Sequence, residues 1–540
     1  MDLSPEAEAV FRYHERSKHR LDRYAPGPGY LDWASQPDPF RRYEGAARLE
    51  LPLLADRVPT PFAAVRRGAL PDAAPLDRDG VAVLLELSLG LSAWKSFRGS
   101  TWALRCNPSS GNLHPTEGYV VCPDLPGLPA GVWHYVSLDH VLERRWEPDA
   151  ASWRGAFPRD GIILGFSSIH WREAWKYGMR AFRYCQHDVG HAAAAAAYAA
   201  AALGWRVCRL EQWGDADVAH LLGLDRSADL SGAEEEAPDL LLWVGGGAAD
   251  VSPERLAEAL DHGAWRGRAN RLSGSHREWQ DIGLVHAASR KPRTPAQDVP
   301  RWPPRPPPSA TGEWSASQLI RRRRSAVDFD GVTRIGSATF FGMLDALLPR
   351  AGVPPWDALT GAPRVHCALF VHRVDGLVPG LYFLARNARA LAQLREALRP
   401  EWPWRKAGPE ELPLYLLLEH DLRDHARLVS CHQDIAADSC FALGFVAEFE
   451  EAVAREPWRY RELFWETGLL GQVLYLEAEA AGVRATGIGC YFDDEMHALL
   501  GIRDRRFQSL YHFTVGGPVE DPRLSTLPPY GNRDPVPSLR

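Results

Sequence analysis

The order of apolar and polar positions along the chain predicts the same set of elements twice. Each copy begins with a helix, and a second helix, a pair of apolar strands, a long helix and a final strand follow. The expected positions are 80–95 and 337–349 for the second helices, 118–122 and 367–371 for apolar strands, about 188–204 and 466–482 for the long helices, and Val-Gly-Gly at 244–246 and 515–517 for the ends of the final strands.

An alignment without gaps supports an internal repeat. At a constant offset of 278 residues, the coinciding positions are Gly190 with Gly468, Gly204 with Gly482, Arg206 with Arg484, and Asp215 with Asp493. Helices rich in Ala, Leu and Gly can coincide by chance, which is the alternative explanation. Because the matches include loop glycines and an aspartate beyond the helix, we predict two copies of one domain.

The first long helix has an unusual composition. Residues 192–202 are all alanine except Tyr198. Alanine has the highest helix propensity, and its small side chain lets another helix approach closely. We therefore expect the two long helices to pack against each other at a pseudo-two-fold axis, as in the interface of a symmetric dimer.

A proline-rich segment separates the two copies. Lys291 to Ser309 reads KPRTPAQDVPRWPPRPPPS, and proline excludes a helix or a central strand there. A ligand for a proline-recognition domain is the alternative to an extended linker. The position between two globular stretches favours a linker and predicts an N-terminal domain over 1–290, a linker over 291–309 and a C-terminal domain over 310–540. A chain of 540 residues is also too long for one ordinary core.

Composition excludes several functional classes. The net charge of −7 argues against nonspecific nucleic-acid binding. The chain has no run of about 18 apolar residues, so we expect no membrane span, and the first residues do not resemble a signal peptide. The eight cysteines form no C-x-x-C pair, so we expect no metal site. Sparse cysteines of this kind are typical of reduced thiols in a cytoplasmic protein.

A polar loop is the first candidate for binding chemistry. It runs from Asn107 to Pro115, reads NPSSGNLHP and precedes the strand at 118–122. Its hydroxyls, amides and turn-forming residues can offer several hydrogen bonds to a flat polar heterocycle or to a phosphate. A simple turn is the alternative, and composition alone favours it.

A cluster of four arginines is the second candidate. Arg321 to Arg324, followed by Ser325, end a helix that is expected to begin near Ser315. Guanidinium groups bind phosphate with two parallel hydrogen bonds. A solvated helix end, where cations suit the helix dipole, explains the arginines equally well.

A glycine-rich stretch after the second long helix is the third candidate. It reads TGIGCYFDD from Thr486 to Asp494. We expect Thr486 to Gly489 to form a turn whose glycines allow a ligand to approach the backbone closely.

Together the three elements resemble the nitroreductase superfamily, and within it the dehydrogenases of the SagB/ThcOx type. This resemblance implies an α+β fold of two nitroreductase-like domains, each with a mostly antiparallel central sheet flanked by helices, fused as a pseudo-dimer that holds flavin mononucleotide (FMN). The chain departs from the pattern of the family at Val327, where a basic residue is usual. The matched positions are Arg323, Ser325 and Phe329 in the arginine motif, Pro108, Ser109, Ser110 and Asn112 in the loop, and Thr486, Gly487, Ile488 and Gly489 in the glycine stretch.

The resemblance also implies one FMN per chain. Homodimers of the family build each FMN site from both subunits, and here Arg323, Arg324, Ser325 and the glycine stretch lie in the second half while the Pro-Ser-Ser loop lies in the first. The reciprocal combination is degraded. The replacing segments are Glu15-Arg16-Ser17, Arg209-Leu210-Glu211 and 357–366. We therefore predict a single FMN site at the junction of the halves.

Lys176 and Tyr177 are the candidate catalytic pair. They resemble the Lys-Tyr pair of azoline dehydrogenases, which is implicated in substrate deprotonation. A surface lysine and a packed tyrosine on an amphipathic helix are the alternative. The aligned positions of the second half are Ala454 and Arg455, which agrees with a single active site.

These observations lead to three functional hypotheses. The first is an FMN-dependent dehydrogenase or oxidase of the azoline-oxidising type, acting on a small molecule or a modified peptide. The second is a reductase of nitro compounds or quinones that takes its hydride from NAD(P)H. The third is a non-catalytic flavin-binding or scaffold subunit of a biosynthetic complex. The pseudo-dimer within one chain leaves a monomeric protein open.

Overall fold

The computed structural model describes residues 3–246, 251–295, 313–359 and 361–531. The linker predicted over 291–309 lies outside the described residues from position 296 onward. No helix of the described part is long and apolar enough to span a membrane.

The first half contains nine α-helices and twelve strands among its described residues. They are α1 Pro5–Arg16, β1 Tyr43–Glu44, β2 Ala47–Glu50, α2 Phe62–Val65, α3 Arg78–Ser88, β3 Leu91–Phe97, β4 Ser100–Arg105, β5 Thr116–Cys122, β6 Gly131–Val136, β7 Val141–Pro148, α4 Ala150–Ala156, β8 Gly161–Ser168, α5 His170–Tyr177, α6 Ala181–Ala202, β9 Arg206–Arg209, α7 Asp215–Leu222, β10 Ala237–Gly245, α8 Pro253–Leu260, β11 Gly263–Trp265, β12 Arg268–Ala269 and α9 Gln280–Ala288.

The second half follows with its own set of elements. They are α10 Ala316–Arg322, β13 Ile335–Gly336, α11 Ser337–Ala346, β14 Val365–Val371, β15 Val374–Asp375, β16 Gly380–Leu384, α12 Leu391–Ala397, β17 Arg405–Lys406, β18 Leu414–Glu419, α13 Arg423–Val429, α14 Asp434–Asp438, β19 Phe441–Glu448, α15 Glu450–Arg455, α16 Arg459–Ala480, β20 Arg484–Ile488, α17 Asp493–Leu500, β21 Phe507–Gly516 and β22 Ser525–Leu527.

The two halves share one sheet topology. The first sheet has the strand order β11-β7-β6-β5-β8-β10-β9, and the second has the order β17-β18-β16-β14-β19-β21-β20. Neighbouring strands within both sheets are antiparallel. The last six strands of each list correspond one to one in chain order. This correspondence confirms the predicted α+β fold of two similar domains.

The long helices α6 and α16 pack against each other at the centre of the molecule. A methyl group at Gly190 would overlap the backbone carbonyl of Trp465, and one at Gly468 would overlap that of His187. The two contacts are equivalent, because 187 and 465, like 190 and 468, differ by 278. The close crossing is therefore two-fold symmetric, as the aligned glycines predict.

Elements are also exchanged between the halves. Helix α1 of the first half packs against α15 of the second, with Phe11 and Phe449 in edge-to-face contact at 5.9 Å. Strand β22, near the end of the chain, pairs with β3 and completes a three-stranded sheet with β4. Each half therefore completes its structure with segments of the other.

Several predicted helix boundaries are wrong. The helix expected over 80–95 ends at Ser88, because Leu91–Phe97 form a strand that pairs with residues more than 400 positions away. The long helices begin at Ala181 and Arg459, about two turns before their predicted starts. The extra turns carry polar residues such as Arg183 and Gln186, which are buried against the other half rather than exposed at a helix end.

Candidate active site

A cavity of about 690 Å³ lies between the two halves. The first half contributes the polar loop, α5 and α6 to its wall, and the second half contributes the end of α10, β20 and β21. Every predicted cofactor-binding residue lines this one cavity. They are Pro108, Ser109, Ser110, Asn112, Arg323, Arg324, Ser325, Thr486, Gly487, Ile488 and Gly489.

Helix α10 positions the arginines. Ser315 caps its first turn, with its hydroxyl accepting a hydrogen bond of 3.1 Å from the backbone N–H of Gln318. Arg323 follows the last turn and is buried. Its Nε and Nη2 donate to the carbonyls of Cys106 and Arg105 in the other half, at 3.2 and 3.1 Å. These bonds fix the guanidinium against the first half.

One nitrogen of the Arg323 guanidinium is left over. Among the described residues, Nη1 is buried without a hydrogen-bond partner. A buried donor without a partner costs about 1–3 kcal/mol, more for a charged group. Burial also lowers the pKa of Arg323. An anion in the cavity would accept a hydrogen bond from Nη1 and would stabilise the charged form of the guanidinium.

Arg324 and Ser325 continue this wall. Arg324 donates from Nη2 to the carbonyl of Ser92 at 2.9 Å, and burial together with the charge of Arg323 lowers its pKa to about 10. The hydroxyl of Ser325 lies 2.8 Å from that of Tyr475, which also accepts the backbone N–H of Gly487 at 3.1 Å. Tyr475 thus ties the arginine motif to the glycine stretch.

The polar loop forms the opposite wall. Gly111, Asn112 and His114 have positive φ angles of 57°, 60° and 53°, which place the loop backbone in the left-handed region. The amide nitrogen of Asn112 donates to the carbonyl of Ala103 at 2.8 Å, and the hydroxyl of Ser109 accepts the backbone N–H of His114 at 2.8 Å. The side chains of the loop therefore stabilise the conformation of the loop itself, and they also face the cavity.

The predicted turn at Thr486 to Gly489 is mostly a strand. Arg484–Ile488 form β20, which pairs along its whole length with β21. The glycines are needed for space rather than for unusual φ angles, since a side chain at Gly487 would overlap the hydroxyl of Tyr511 and one at Gly489 would overlap the ring of Tyr184. A bare strand end borders the cavity between these aromatic rings.

The predicted catalytic pair is split by the geometry. Tyr177 lines the cavity, next to Gly111 of the polar loop. Burial and the nearby Glu173 raise the pKa of the Tyr177 phenol well above its usual value. Lys176 is half-buried and does not line the cavity, and its Nζ lies 5.3 Å from the centre of the Tyr177 ring. Only the tyrosine reaches the wall directly.

Sequence reasoning missed a pair of buried carboxyls. Asp188 accepts hydrogen bonds from the backbone N–H and the hydroxyl of Ser110, at 3.1 and 3.0 Å, and burial raises its pKa to about 7. Glu173 is fully buried, and among the described residues neither of its carboxyl oxygens has a hydrogen-bond partner. Burial, and next the charge of Asp188, raise its pKa well above its usual value.

The equivalent position in the other half is filled. Arg209 stands on β9 where Gly487 stands on β20, and its guanidinium lies 4.9 Å from the ring centre of Trp465 and pairs with Glu462. The ammonium of Lys291 donates to the carbonyls of Glu211 and Trp213, at 2.6 and 3.2 Å. Side chains thus occupy this half's counterpart of the glycine stretch.

Known proteins resemble this chain in sequence and in structure. No family model matches the chain. A curated relative from Methanocaldococcus jannaschii, which carries the name of a nitroreductase, is 28% identical over 145 residues that cover 26% of this chain and 68% of the relative. A crystal structure from Anabaena variabilis, described as that of a nitroreductase, covers 95% of this chain and 99% of its own, with a TM-score of 0.65 and 21% identity.

The chain has the nitroreductase fold. The match extends over both halves of the chain. The cavity lies where the two long helices meet, since Tyr184 and Asp188 of α6 and Tyr475 of α16 line it.

Proposed function

We propose that the protein is an FMN-dependent oxidoreductase of the nitroreductase superfamily, with one FMN in the cavity between its halves. The observation that carries this proposal is the buried Nη1 of Arg323, which has no partner among the described residues and belongs to a guanidinium on the cavity wall. A phosphate group is the ligand that a guanidinium held in this way favours.

The donor set of the cavity fits FMN along its length. Arg323 and Arg324 would hold the phosphate end. Ser109, Ser110 and Asn112 would contact the isoalloxazine or ribityl groups, and the backbone of Gly487 to Gly489 would border the reactive edge of the ring. The volume of about 690 Å³ is in the usual range of cofactor and small-molecule sites.

A single FMN per chain is supported by the asymmetry of the halves. Arg209 stands at the position that corresponds to Gly487, and the ammonium of Lys291 donates to the carbonyl of Glu211, at the position that corresponds to Gly489. A bulky arginine there excludes the close backbone approach that glycine allows. We therefore assign the cofactor to the junction formed by the first-half loop and the second-half strand.

The chain's own residues would handle protons at this site. When bound, FMN would supply the hydride acceptor or donor. The Tyr177 hydroxyl would relay a proton at the cavity wall, and Asp188 would hold one at its carboxyl near neutral pH, where its pKa of about 7 lies. Lys176 would act through Tyr177, whose ring lies within 5.3 Å of its ammonium.

The substrate class that we propose is a small molecule or modified peptide with an oxidisable azoline ring, from the resemblance to SagB/ThcOx-type dehydrogenases. Tyr177 on the cavity wall favours this reaction, because hydride removal from carbon requires a neighbouring proton acceptor or relay. The second candidate is a NAD(P)H-dependent reductase of nitro compounds or quinones. The name of the M. jannaschii relative favours it.

The visible spectrum of the purified full-length protein tests the proposal. We expect the absorption bands of oxidised flavin and one FMN released per polypeptide on denaturation. A colourless protein that takes up no FMN on reconstitution would favour a scaffold and contradict the proposal, and a ratio near two would contradict the single site. Stopped-flow bleaching by NAD(P)H separates the reductase from the dehydrogenase.

A further inference from the structure

Cys431 and Cys490 face each other at the edge of the cavity. The backbone N–H of Phe492 donates to the carbonyl of Val429 at 2.8 Å, and the side-chain amide of Gln433 donates to the carbonyl of Cys490 at 3.0 Å. The segments 429–433 and 490–492 therefore run side by side in opposite directions. These two hydrogen bonds hold the turn that carries Cys431 against Cys490.

The turn that carries Cys431 is held in an uncommon conformation. Cys431 and His432 have φ angles of 54° and 59°, in the left-handed region that residues with a side chain rarely adopt. Gln433 fastens this turn, because its side-chain amide also donates to the carbonyl of Ser430 at 2.8 Å. The thiols of Cys431 and Cys490 interact with each other, and both cysteines are part-exposed.

The surroundings of Cys490 favour a thiolate. The groups that face the pair are His19 and Tyr24 from the segment after α1, Arg180 before α6, and Asp493 at the start of α17. The neighbouring Cys431 thiol, followed by His19 and Arg180, lowers the pKa of Cys490 to about 5. The pKa of Cys431 is raised, because its thiol keeps the proton while Cys490 is charged. Part-exposed cysteines with a lowered pKa are the reactive ones.

We propose that Cys431 and Cys490 form a redox-active dithiol that takes low-molecular-mass disulfides as its substrate. Cys490 attacks one sulfur of the incoming disulfide, whose S–S bond breaks to release one thiolate and leave a mixed disulfide on Cys490. Cys431 then loses its proton and attacks the Cys490 sulfur, which releases the second thiolate. The two cysteines are oxidised to one disulfide, and the substrate is reduced to two thiols that take up the two protons.

This dithiol is independent of the proposed flavin. Cys490 lines the cavity, yet both thiol-exchange steps use only the two cysteines and the incoming disulfide. The experiment is therefore run on the full-length chain before and after removal of any bound flavin, and a failure of the flavin proposal would not alter its result.

Reaction with oxidised glutathione tests the proposal. The reduced protein is incubated with the reagent and quenched with N-ethylmaleimide, and the peptides are mapped by mass spectrometry. We expect a Cys431–Cys490 disulfide and two molecules of reduced glutathione released per chain. Cys208 serves as the internal control, because it is exposed but burial of its sulfur raises its pKa. It should react at least tenfold more slowly.

Two variants separate the roles of the cysteines. In Cys431→Ser, the reaction should stop at glutathione bound to Cys490, with one thiol released per chain. In Cys490→Ser, the release of reduced glutathione that is faster than the reaction of Cys208 should disappear. Circular dichroism and the Cys431→Ala and Cys490→Ala variants control for misfolding. The proposal is overturned if wild-type protein keeps glutathione on Cys490 without forming the disulfide, or if Cys208 reacts as fast as Cys490.

Discussion

Arg183 Nη1 donates a hydrogen bond of 2.6 Å to Oδ1 of Asp493, across the junction of the two halves. The same relationship recurs with the halves exchanged, since Arg461 Nη2 donates to both carboxyl oxygens of Asp215 at 2.7 and 2.6 Å. Both members of each pair differ by 278 positions from their counterparts. All four side chains are buried, so two symmetric ion pairs fasten the halves together.

Removing one charge from these pairs should destabilise the protein. Asp493 also accepts a hydrogen bond of 3.0 Å from Arg180, so Asp493→Asn leaves two buried guanidinium groups without their anion. We expect a loss of about 3–5 kcal/mol in the free energy of unfolding. Asp215→Asn should cost less, because Arg461 keeps Asp239 at 3.9 Å. Urea unfolding of both variants measures the difference, and an equal loss would contradict the roles given to Arg180 and Asp239.

The guanidinium fork of Arg323 should decide cofactor affinity. Arg323→Lys keeps the charge but loses the planar arrangement of donors, including the Nη1 without a partner. We expect FMN to bind at least tenfold more weakly, as measured by fluorescence titration of the apoprotein. Arg321→Lys is the matched control, because Arg321 pairs with Asp56 and does not line the cavity. Equal affinities in both variants would remove Arg323 from the phosphate site.

The sequence predicted the repeat better than it predicted the contacts that hold the repeat together. The fixed offset identified Asp215 with Asp493 and Gly190 with Gly468, and the structure places these residues in equivalent contacts. The offset did not identify Arg183 and Arg461 as the partners of the two aspartates, because an arginine on a helix is usually exposed. Strand β22 was equally hidden, since its pairing with β3 depends on residues more than 400 positions apart.

The candidate site shows the same division. Its three motifs were found because glycine, serine and arginine stand in a recognisable order, and all three line one cavity. Glu173 and Asp188 were missed as a pair, since only packing reveals that both carboxyls are buried. The predicted turn at Thr486 to Gly489 was wrong. Glycines that make room for Tyr184 and Tyr511 cannot be distinguished, in sequence, from the glycines of a turn.

Asp188 should make stability depend on pH. Its folded pKa of about 7 lies above the unfolded value of about 4, so the folded state binds the extra proton between these limits. The contribution is fully present below about pH 4 and is lost as pH rises through about 7, by about 4 kcal/mol in total. In Asp188→Asn this loss should be absent from urea unfolding measured between pH 4 and 8.

A second buried carboxyl provides the control for that measurement. Asp239 also has a pKa raised to about 7 by burial, but it bonds to Ser168 and does not line the cavity. Asp239→Asn should flatten the pH dependence of stability in the same sense and leave flavin binding unchanged. If Asp188→Asn retained the full pH dependence of the wild type, the raised pKa of Asp188 would be wrong.

Tyr177 should matter more for turnover than Lys176. Tyr177→Phe removes the hydroxyl at the cavity wall, and loss of a proton relay typically lowers kcat by about 100-fold or more. Lys176→Ala should lower kcat less, because Lys176 does not line the cavity. Both variants should keep their FMN, which the visible spectrum checks. A larger loss for Lys176→Ala would make the lysine, and not the tyrosine, the group that moves the proton.

The exchange of segments between the halves has a consequence for dilution. A site built between two separate subunits disassembles when the protein concentration falls below the dissociation constant of the dimer. Here the polar loop and the end of α10 belong to one polypeptide, and their encounter is intramolecular at any concentration. The cavity therefore does not come apart on dilution, and the fraction of cavities that hold a ligand depends on the ligand concentration and not on the protein concentration.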